Sequence, residues 1–141
     1  MPLPPFDPST GNLPTGIHEA TWDELTDVLG STAHRRQLLA GLLRALRNLR
    51  RAGCRRAYID GSFVTAKNVP ADFDGCWEPQ GVDPNALDPV LLDFTNRRAA
   101  QKAKFGGELF IADARFLDFF QRDKATGDPK GIVSIDLGGL P

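Results

Sequence analysis

Cysteine is scarce in this chain, where Cys54 and Cys76 are the only two among 141 residues. Two cysteines are too few for a disulfide framework, and their spacing does not match a metal knuckle. Both fall in or beside predicted strands, so we expect two small buried side chains rather than a site. The sequence also lacks an apolar run of the roughly 18 residues that a membrane span needs. We therefore expect no membrane partner.

The first residues lack the features of a secretory signal. Residues 1–16 contain neither a basic start nor an apolar stretch, which favours a cytoplasmic protein. They contain five prolines, and because each proline lacks an N–H and fixes φ, we predict an irregular arm. The arm is either disordered or lies along the domain through Leu3, Phe6 and Leu13. Residues 17–141 have room for a single domain with one core.

Helix and strand signals alternate along this domain. A capping box at Thr21 and Glu24 opens a short helix that ends at Gly30. A longer helix follows, with leucines at helical spacing, and reaches about Ala52. Strands are predicted over 55–60, 72–78, 108–112 and 131–137, and further helical pieces over 87–104 and 114–122. The pattern predicts an α+β fold, a small mixed β-sheet covered by helices.

The segment 61–74, GSFVTAKNVPADFD, carries the clearest chemical signal. Alternation along a strand places Asp72 and Asp74 on one face. Paired carboxylates suit Mg²⁺, which prefers oxygen ligands, and two such ions clamp the attacking and leaving oxygens of a displacement at phosphorus. The turn Gly61-Ser62 lets the backbone approach a triphosphate closely. The segment therefore predicts a site for a metal-bound triphosphate.

This segment resembles the signature of the DNA polymerase β-type nucleotidyltransferase superfamily, Gly-Ser followed by Asp-x-Asp. Nearly the whole chain is similar to a bacterial nucleotidyltransferase-like family without an assigned function. The similarity is carried by residues 3–25, 52–67, 104–110 and 118–137. It implies a minimal nucleotidyltransferase fold for residues 17–141, and it supplies no substrate.

The resemblance also implies a third carboxylate, which superfamily members place on a neighbouring strand as metal ligand or general base. Glu108, which opens the strand ELFIA, is the best match, and Asp113 is the reserve. Asp72, Asp74 and Glu108 are thus the expected catalytic residues and the expected ligands of two Mg²⁺ ions.

Nucleotide contacts are expected nearby. Gly61, Ser62 and Lys67 are the predicted binding residues for the triphosphate, although a solvated loop lysine is an equal alternative for Lys67. Lys130 is a weaker candidate of the same kind. Asp60 is expected to stabilise the turn through bonds to backbone N–H groups rather than to bind metal.

Arginine is concentrated in one stretch, with eight arginines and no acidic residue from Arg35 to Arg56. Several of Arg36, Arg44, Arg47 and Arg51 share one helix face, which would suit RNA phosphates or an acidic partner. No aromatic residues interleave with them as stacking platforms. We therefore favour a solvated face whose arginines pair with carboxylates elsewhere.

The expected function is a Mg²⁺-dependent nucleotidyltransferase that moves a nucleoside monophosphate from a nucleoside triphosphate to a hydroxyl of a protein or an RNA. The short chain favours dependence on a partner, as in the minimal nucleotidyltransferases of toxin–antitoxin or defence systems, by analogy of fold. The alternative is a catalytically inactive nucleotide-binding or protein-interaction module with the same fold. A structural RNA-binding protein that uses the arginine helix ranks third.

Overall fold

The structure is a computed structural model that describes residues 3–67, 69–113, 121 and 130–141, with the backbone alone at Ser62. Apart from residue 121, the helix predicted over 114–122 lies outside the described residues.

The described residues form three α-helices, and the first two begin with a side-chain cap. They are α1 (Trp22–Leu29), α2 (Ala33–Arg51) and α3 (Ala99–Phe105). The capping box is present, because the Thr21 hydroxyl accepts from the Glu24 N–H and the Glu24 carboxylate accepts from the Thr21 N–H. At the start of α2 the Thr32 hydroxyl accepts from the Arg35 N–H, and the C-caps of α1 and α2 are Gly30 and Ala52. Short 3₁₀ turns precede α3, as the prediction of helical pieces implies.

Five strands form one mixed sheet in the order β1-β5-β2-β3-β4. They are β1 (Gly16–Glu19), β2 (Arg56–Asp60), β3 (Phe73–Trp77), β4 (Gly107–Ile111) and β5 (Gly131–Asp136). The strand β2 runs antiparallel to both of its neighbours, whereas β1 pairs with β5, and β3 with β4, in parallel. The predicted α+β fold with a mixed sheet is confirmed.

The sequence did not predict β1. None of its four residues is buried, so it has no apolar alternation, and it is held as an edge strand by β5 from the far end of the chain. The arm before it lies along the domain: Leu3 and Leu13 are buried, and Phe6 packs against the core.

The two faces of the sheet differ in what covers them. The main core joins leucines of α1 and α2 to side chains such as Ile59, Phe73 and Val133. Tyr58, Cys76 and Ile132 form a separate small cluster. Because neighbouring residues of a strand point to opposite faces, this cluster marks the face of the sheet away from the helices.

The arginine-rich region binds mainly backbone carbonyls. Arg44 donates to the Lys104 carbonyl, and Arg47 and Arg50 donate to the carbonyls of Pro141 and Leu140. Arg56 pairs with the Glu19 carboxylate. The expected pairing with carboxylates therefore holds for Arg56, while the other three arginines fasten residues 140–141 and α3 to α2.

Both cysteines are buried and free, as predicted. Burial raises the pKa of Cys54, and burial together with the charge of Asp60 raises the pKa of Cys76 to about 12.

At pH 8 we expect Cys76 to react with Ellman's reagent about a thousandfold more slowly than a free cysteine, because the thiolate is the nucleophile. In urea, both thiols should react at the free rate. If Cys76 in the folded protein reacted as fast as a free cysteine, the buried position and raised pKa of Cys76 would be wrong.

Candidate functional site

Three carboxylates lie side by side on adjacent strands. Asp74 of β3 is the register partner of Asp60 in β2 and of Glu108 in β4. Neighbouring strands are about 4.8 Å apart, so this carboxylate row (Asp60, Asp74 and Glu108) runs from the middle strand β2 through β3 to the edge strand β4, near one end of these strands. Two residues away on the same strands lie Tyr58 and Cys76 of the small cluster and Phe110, which packs against it. The row therefore lies on the face away from the helices.

The turn after β2 lies directly against the row. Gly61 has a φ of +84°, and a Cβ added to it would lie 2.7 Å from the Asp74 Oδ2 atom. Glycine is required there for its left-handed conformation and for the close approach. The Gly-Ser turn and the second aspartate of the signature are thus in contact across 13 residues of chain.

Three cations from two parts of the chain, the start of α3 and the residue before β5, balance the carboxylate row. Arg98 Nε lies 2.8 Å from Glu108 Oε2, and Lys102 Nζ lies 3.6 Å from the same oxygen. On the other side, Lys130 Nζ lies 3.1 Å from Asp60 Oδ1. Asp60, Glu108 and Lys130 are buried, and buried charges persist where they are paired. We call Arg98, Lys102 and Lys130 the cation ring.

Glu108 is held in its ionised form. Burial alone favours the neutral carboxyl, but hydrogen bonds with Arg98 and Asp74 and the charges of Arg98 and Lys102 outweigh it and lower the pKa of Glu108. The cations therefore keep a carboxylate, rather than a carboxylic acid, beside Asp74 at neutral pH.

The loop that follows the Gly-Ser turn is fastened by the start of α2. Arg35 is 3% exposed, and its guanidinium donates to the carbonyls of Phe63 and Thr65 at 2.7 Å and of Lys67 at 2.5 Å. His34 Nε2 donates to the Pro70 carbonyl at 2.5 Å. Burial lowers the pKa of Arg35. The first turn of α2 thus fixes the course of the loop between the two halves of the signature.

Comparison with known proteins gives a family. The family model described as "Family of unknown function (DUF6932)" matches residues 4–136. The chain belongs to this family. No curated protein and no solved structure matches it. Because the family description names no activity, the resemblance to nucleotidyltransferases stays a prediction.

In this family member, the predicted site residues are only partly brought together. Glu108 lies beside Asp74, as the sequence indicated. Asp72 is half-buried and immediately precedes β3, which begins one residue later than predicted. Asp113 is exposed and follows the opposite end of β4, about 16 Å along the chain from Glu108 at strand spacing. The reserve candidate is thus remote from the row.

The predicted phosphate contacts have mixed outcomes. The Lys67 side chain is exposed, while its carbonyl binds Arg35. The Ser62 side chain lies outside the described residues. Lys130, the weaker candidate, is the lysine that contacts the row. Asp60, expected only to stabilise the turn, belongs to the row itself.

The described residues contain neither a preformed cluster of metal ligands nor a helix that could cross a membrane. Within residues 3–67, 69–113, 121 and 130–141, no three His, Cys, Asp or Glu side chains are already gathered as metal ligands. Among the described helices, none combines the length and apolar character that a membrane crossing requires.

The sequence did not reveal two members of the cation ring, Arg98 and Lys102, or the contact of Arg35 with the loop. The burial of Arg35 could have been detected, because it lies at helical spacing from the buried Leu38, Leu42 and Leu46. Arg98 had no comparable signal, because its place beside Glu108 depends on a left-handed backbone at φ 60°, which arginine rarely adopts.

A Gly61→Ala variant tests the contact between the turn and the row. We expect the free energy of unfolding to fall by about 1–2 kcal/mol, because alanine is strained at this φ and its methyl group meets the Asp74 carboxylate. Gly139→Ala is the matched control, since a Cβ there meets nothing within 4 Å. Urea unfolding of both variants makes the comparison, and equal stabilities would refute the contact.

Proposed function

We propose that this protein binds a nucleoside triphosphate with Mg²⁺ at the carboxylate row and transfers its nucleotidyl group to a hydroxyl of a protein or an RNA. The observation that carries the proposal is the alignment of Asp74 with Glu108, with the backbone of Gly61 against Asp74. This alignment joins the two halves of the nucleotidyltransferase-like signature and adds the third carboxylate that the resemblance implies.

The donor set fits a magnesium ion. Carboxylate oxygens are the ligands that Mg²⁺ prefers, and it takes one or two of them together with water and phosphate oxygens. Asp74 and Glu108 would hold it, with Asp72 and Asp60 as the neighbouring carboxylates for a second ion. When bound, Mg²⁺ supplies positive charge that stabilises the charge developing on the phosphate.

The cation ring suits the triphosphate. Arg98, Lys102 and Lys130 each neutralise a carboxylate of the row in the protein alone. Once those carboxylates serve as metal ligands, the same three side chains are available to pair with phosphate oxygens, which arginine and lysine bind well. We therefore assign phosphate binding to the cation ring rather than to the exposed Lys67.

The chemistry follows from these positions. The acceptor hydroxyl oxygen forms a bond to the α-phosphorus while the bond from that phosphorus to the bridging oxygen breaks, and pyrophosphate leaves. The proton of the hydroxyl passes to a carboxylate oxygen of Glu108, which is ionised at neutral pH. Positioning and electrostatics contribute most in such reactions.

A second candidate is an inactive nucleotide-binding or protein-interaction module with the same fold. It is favoured by the pairing of Glu108 with both Arg98 and Lys102. If these pairs persist when nucleotide is bound, Glu108 accepts no proton, and the protein binds nucleotide without turning it over.

Incubation with each α-³²P-labelled nucleoside triphosphate, Mg²⁺ and a bacterial extract separates the two candidates. Transfer leaves label on a protein or an RNA after denaturing electrophoresis, and Asp74→Asn should abolish it. Asp113→Asn is the matched control, because this aspartate lies away from the row and should be silent. Nucleotide binding by the wild type without any covalent label would overturn transfer and support the module.

A further inference from the structure

A pair of aromatic rings adjoins the carboxylate row. Phe110 follows Glu108 by two residues on β4, about 7 Å along the same face. The ring of Phe94 stacks on the ring of Phe110, with centroids 6.1 Å apart and planes within 4° of parallel. The Phe94 side chain remains 38% exposed, although a phenyl ring is usually buried.

Arg98 links the rings to the row. Its guanidinium carbon lies 5.1 Å from the centre of the Phe110 ring, and its Nε bonds Glu108. One side chain thus contacts both a carboxylate of the proposed metal site and the aromatic pair. Phe110 thus lies between Phe94 and the carboxylate row in this chain of contacts, touching both Phe94 and the side chain that we assign to phosphate.

The segment that carries Phe94 is held in place. The carbonyl of Asp93 accepts from the side chain of Gln101, whose oxygen accepts from the Leu109 N–H of β4. Gln101 is buried, so this clamp ties the segment to the strand that bears Glu108.

The clamp is followed by unusual backbone. Asn96, Arg97 and Arg98 all have a positive φ, at 50°, 56° and 60°. Left-handed backbone is unfavourable for residues other than glycine, and such strain concentrates at binding and active sites. Here it connects Phe94 to α3 and sets the position of Arg98.

We propose that the exposed ring of Phe94, backed by Phe110, which Arg98 contacts in turn, is the stacking surface for the base of the nucleotide. This inference rests on the proposed function and deepens it. Stacking on a phenyl ring accepts every base, and neither ring carries a hydrogen-bonding group. The substrate class is therefore a triphosphate that carries an aromatic base, with larger bases bound more tightly and little choice between bases of equal size.

Calorimetric titration of the whole protein with Mg²⁺-ATP and with Mg²⁺-tripolyphosphate tests the platform. The wild type should bind ATP about tenfold more tightly than tripolyphosphate, since stacking strengthens binding by that order. Phe94→Ala should lose this advantage and bind tripolyphosphate as before. Leu92→Ala is the control, because Leu92 is equally exposed two residues away.

A Phe94→Trp variant gives a second measurement that does not depend on the alanine variant folding well. Its added fluorescence should be quenched by Mg²⁺-ATP and unaffected by Mg²⁺-tripolyphosphate. Tripolyphosphate binding without an advantage for ATP, or unchanged ATP affinity in Phe94→Ala, would overturn the platform alone. Binding of neither ligand to the wild type would overturn the proposed function and the platform with it.

Discussion

Replacing Arg35 with methionine is expected to lower the free energy of unfolding by about 3 kcal/mol. Methionine keeps the apolar stem but removes a guanidinium that is 3% exposed and bonds three carbonyls of the loop after Gly61. An unsatisfied buried polar group costs about 1–3 kcal/mol, and Phe63, whose carbonyl loses its Arg35 donor, is itself buried. Urea unfolding measures the loss.

Arg36→Met is the matched control for this variant. Arg36 is the next residue of α2, it is exposed, and its side chain donates to the Gly30 carbonyl at 3.1 Å. Its replacement should change stability by less than about 0.5 kcal/mol. Equal losses for the two variants would show that Arg35 does not fasten the loop.

Gly41→Ala is the second change with a large expected effect, a loss of about 2–3 kcal/mol in the free energy of unfolding. A Cβ at Gly41 would lie 1.8 Å from the carbonyl oxygen of Phe105, the last residue of α3. Overpacking of this kind typically costs about 1–3 kcal/mol, and here it opposes rigid backbone rather than a side chain. The higher helix propensity of alanine offsets part of the cost.

The position of Gly41 also connects the core to the site. The chain passes from α3 directly into β4, so displacement of Phe105 shifts the strand that carries Glu108. We therefore expect Gly41→Ala to weaken nucleotide binding as well as stability. Ala40→Gly, at the exposed neighbour, should cost only about 1 kcal/mol through helix propensity and leave binding unchanged. A Gly41→Ala protein as stable as the wild type would refute the close approach.

Local patterns predicted much of the fold because each signal lies within a few residues. The capping box at Thr21 and the leucine stripe of α2 are complete in the sequence and appear as predicted. The edge strand β1 had no such signal, because its pairing with β5 joins Gly16 to Gly131 and none of its side chains is buried.

The site was predictable in part for the same reason. Asp74 belongs to a local motif, and Glu108 was expected from the resemblance. Each is the second residue of its strand, and the parallel pairing of the two strands brings them together. The place of Asp60 depends on the register of β2 against β3, which hydrophobic patterns specify only once the sheet is known. The ion pair between Arg98 and Glu108 forms with Arg98 in a left-handed backbone conformation. Arginine rarely adopts this conformation, so the sequence does not predict it.

The most direct test of a nucleotide site at the carboxylate row is the melting temperature with ATP and Mg²⁺ together and separately. For the wild type, a ligand at a hundred times its dissociation constant should raise the melting temperature by roughly 5–10 °C. The rise should require Mg²⁺, disappear in Asp74→Asn and Glu108→Gln, and persist in Asp113→Asn. A rise of equal size in Asp74→Asn, or no rise in the wild type with any nucleoside triphosphate, would contradict a metal-bound nucleotide at Asp74 and Glu108.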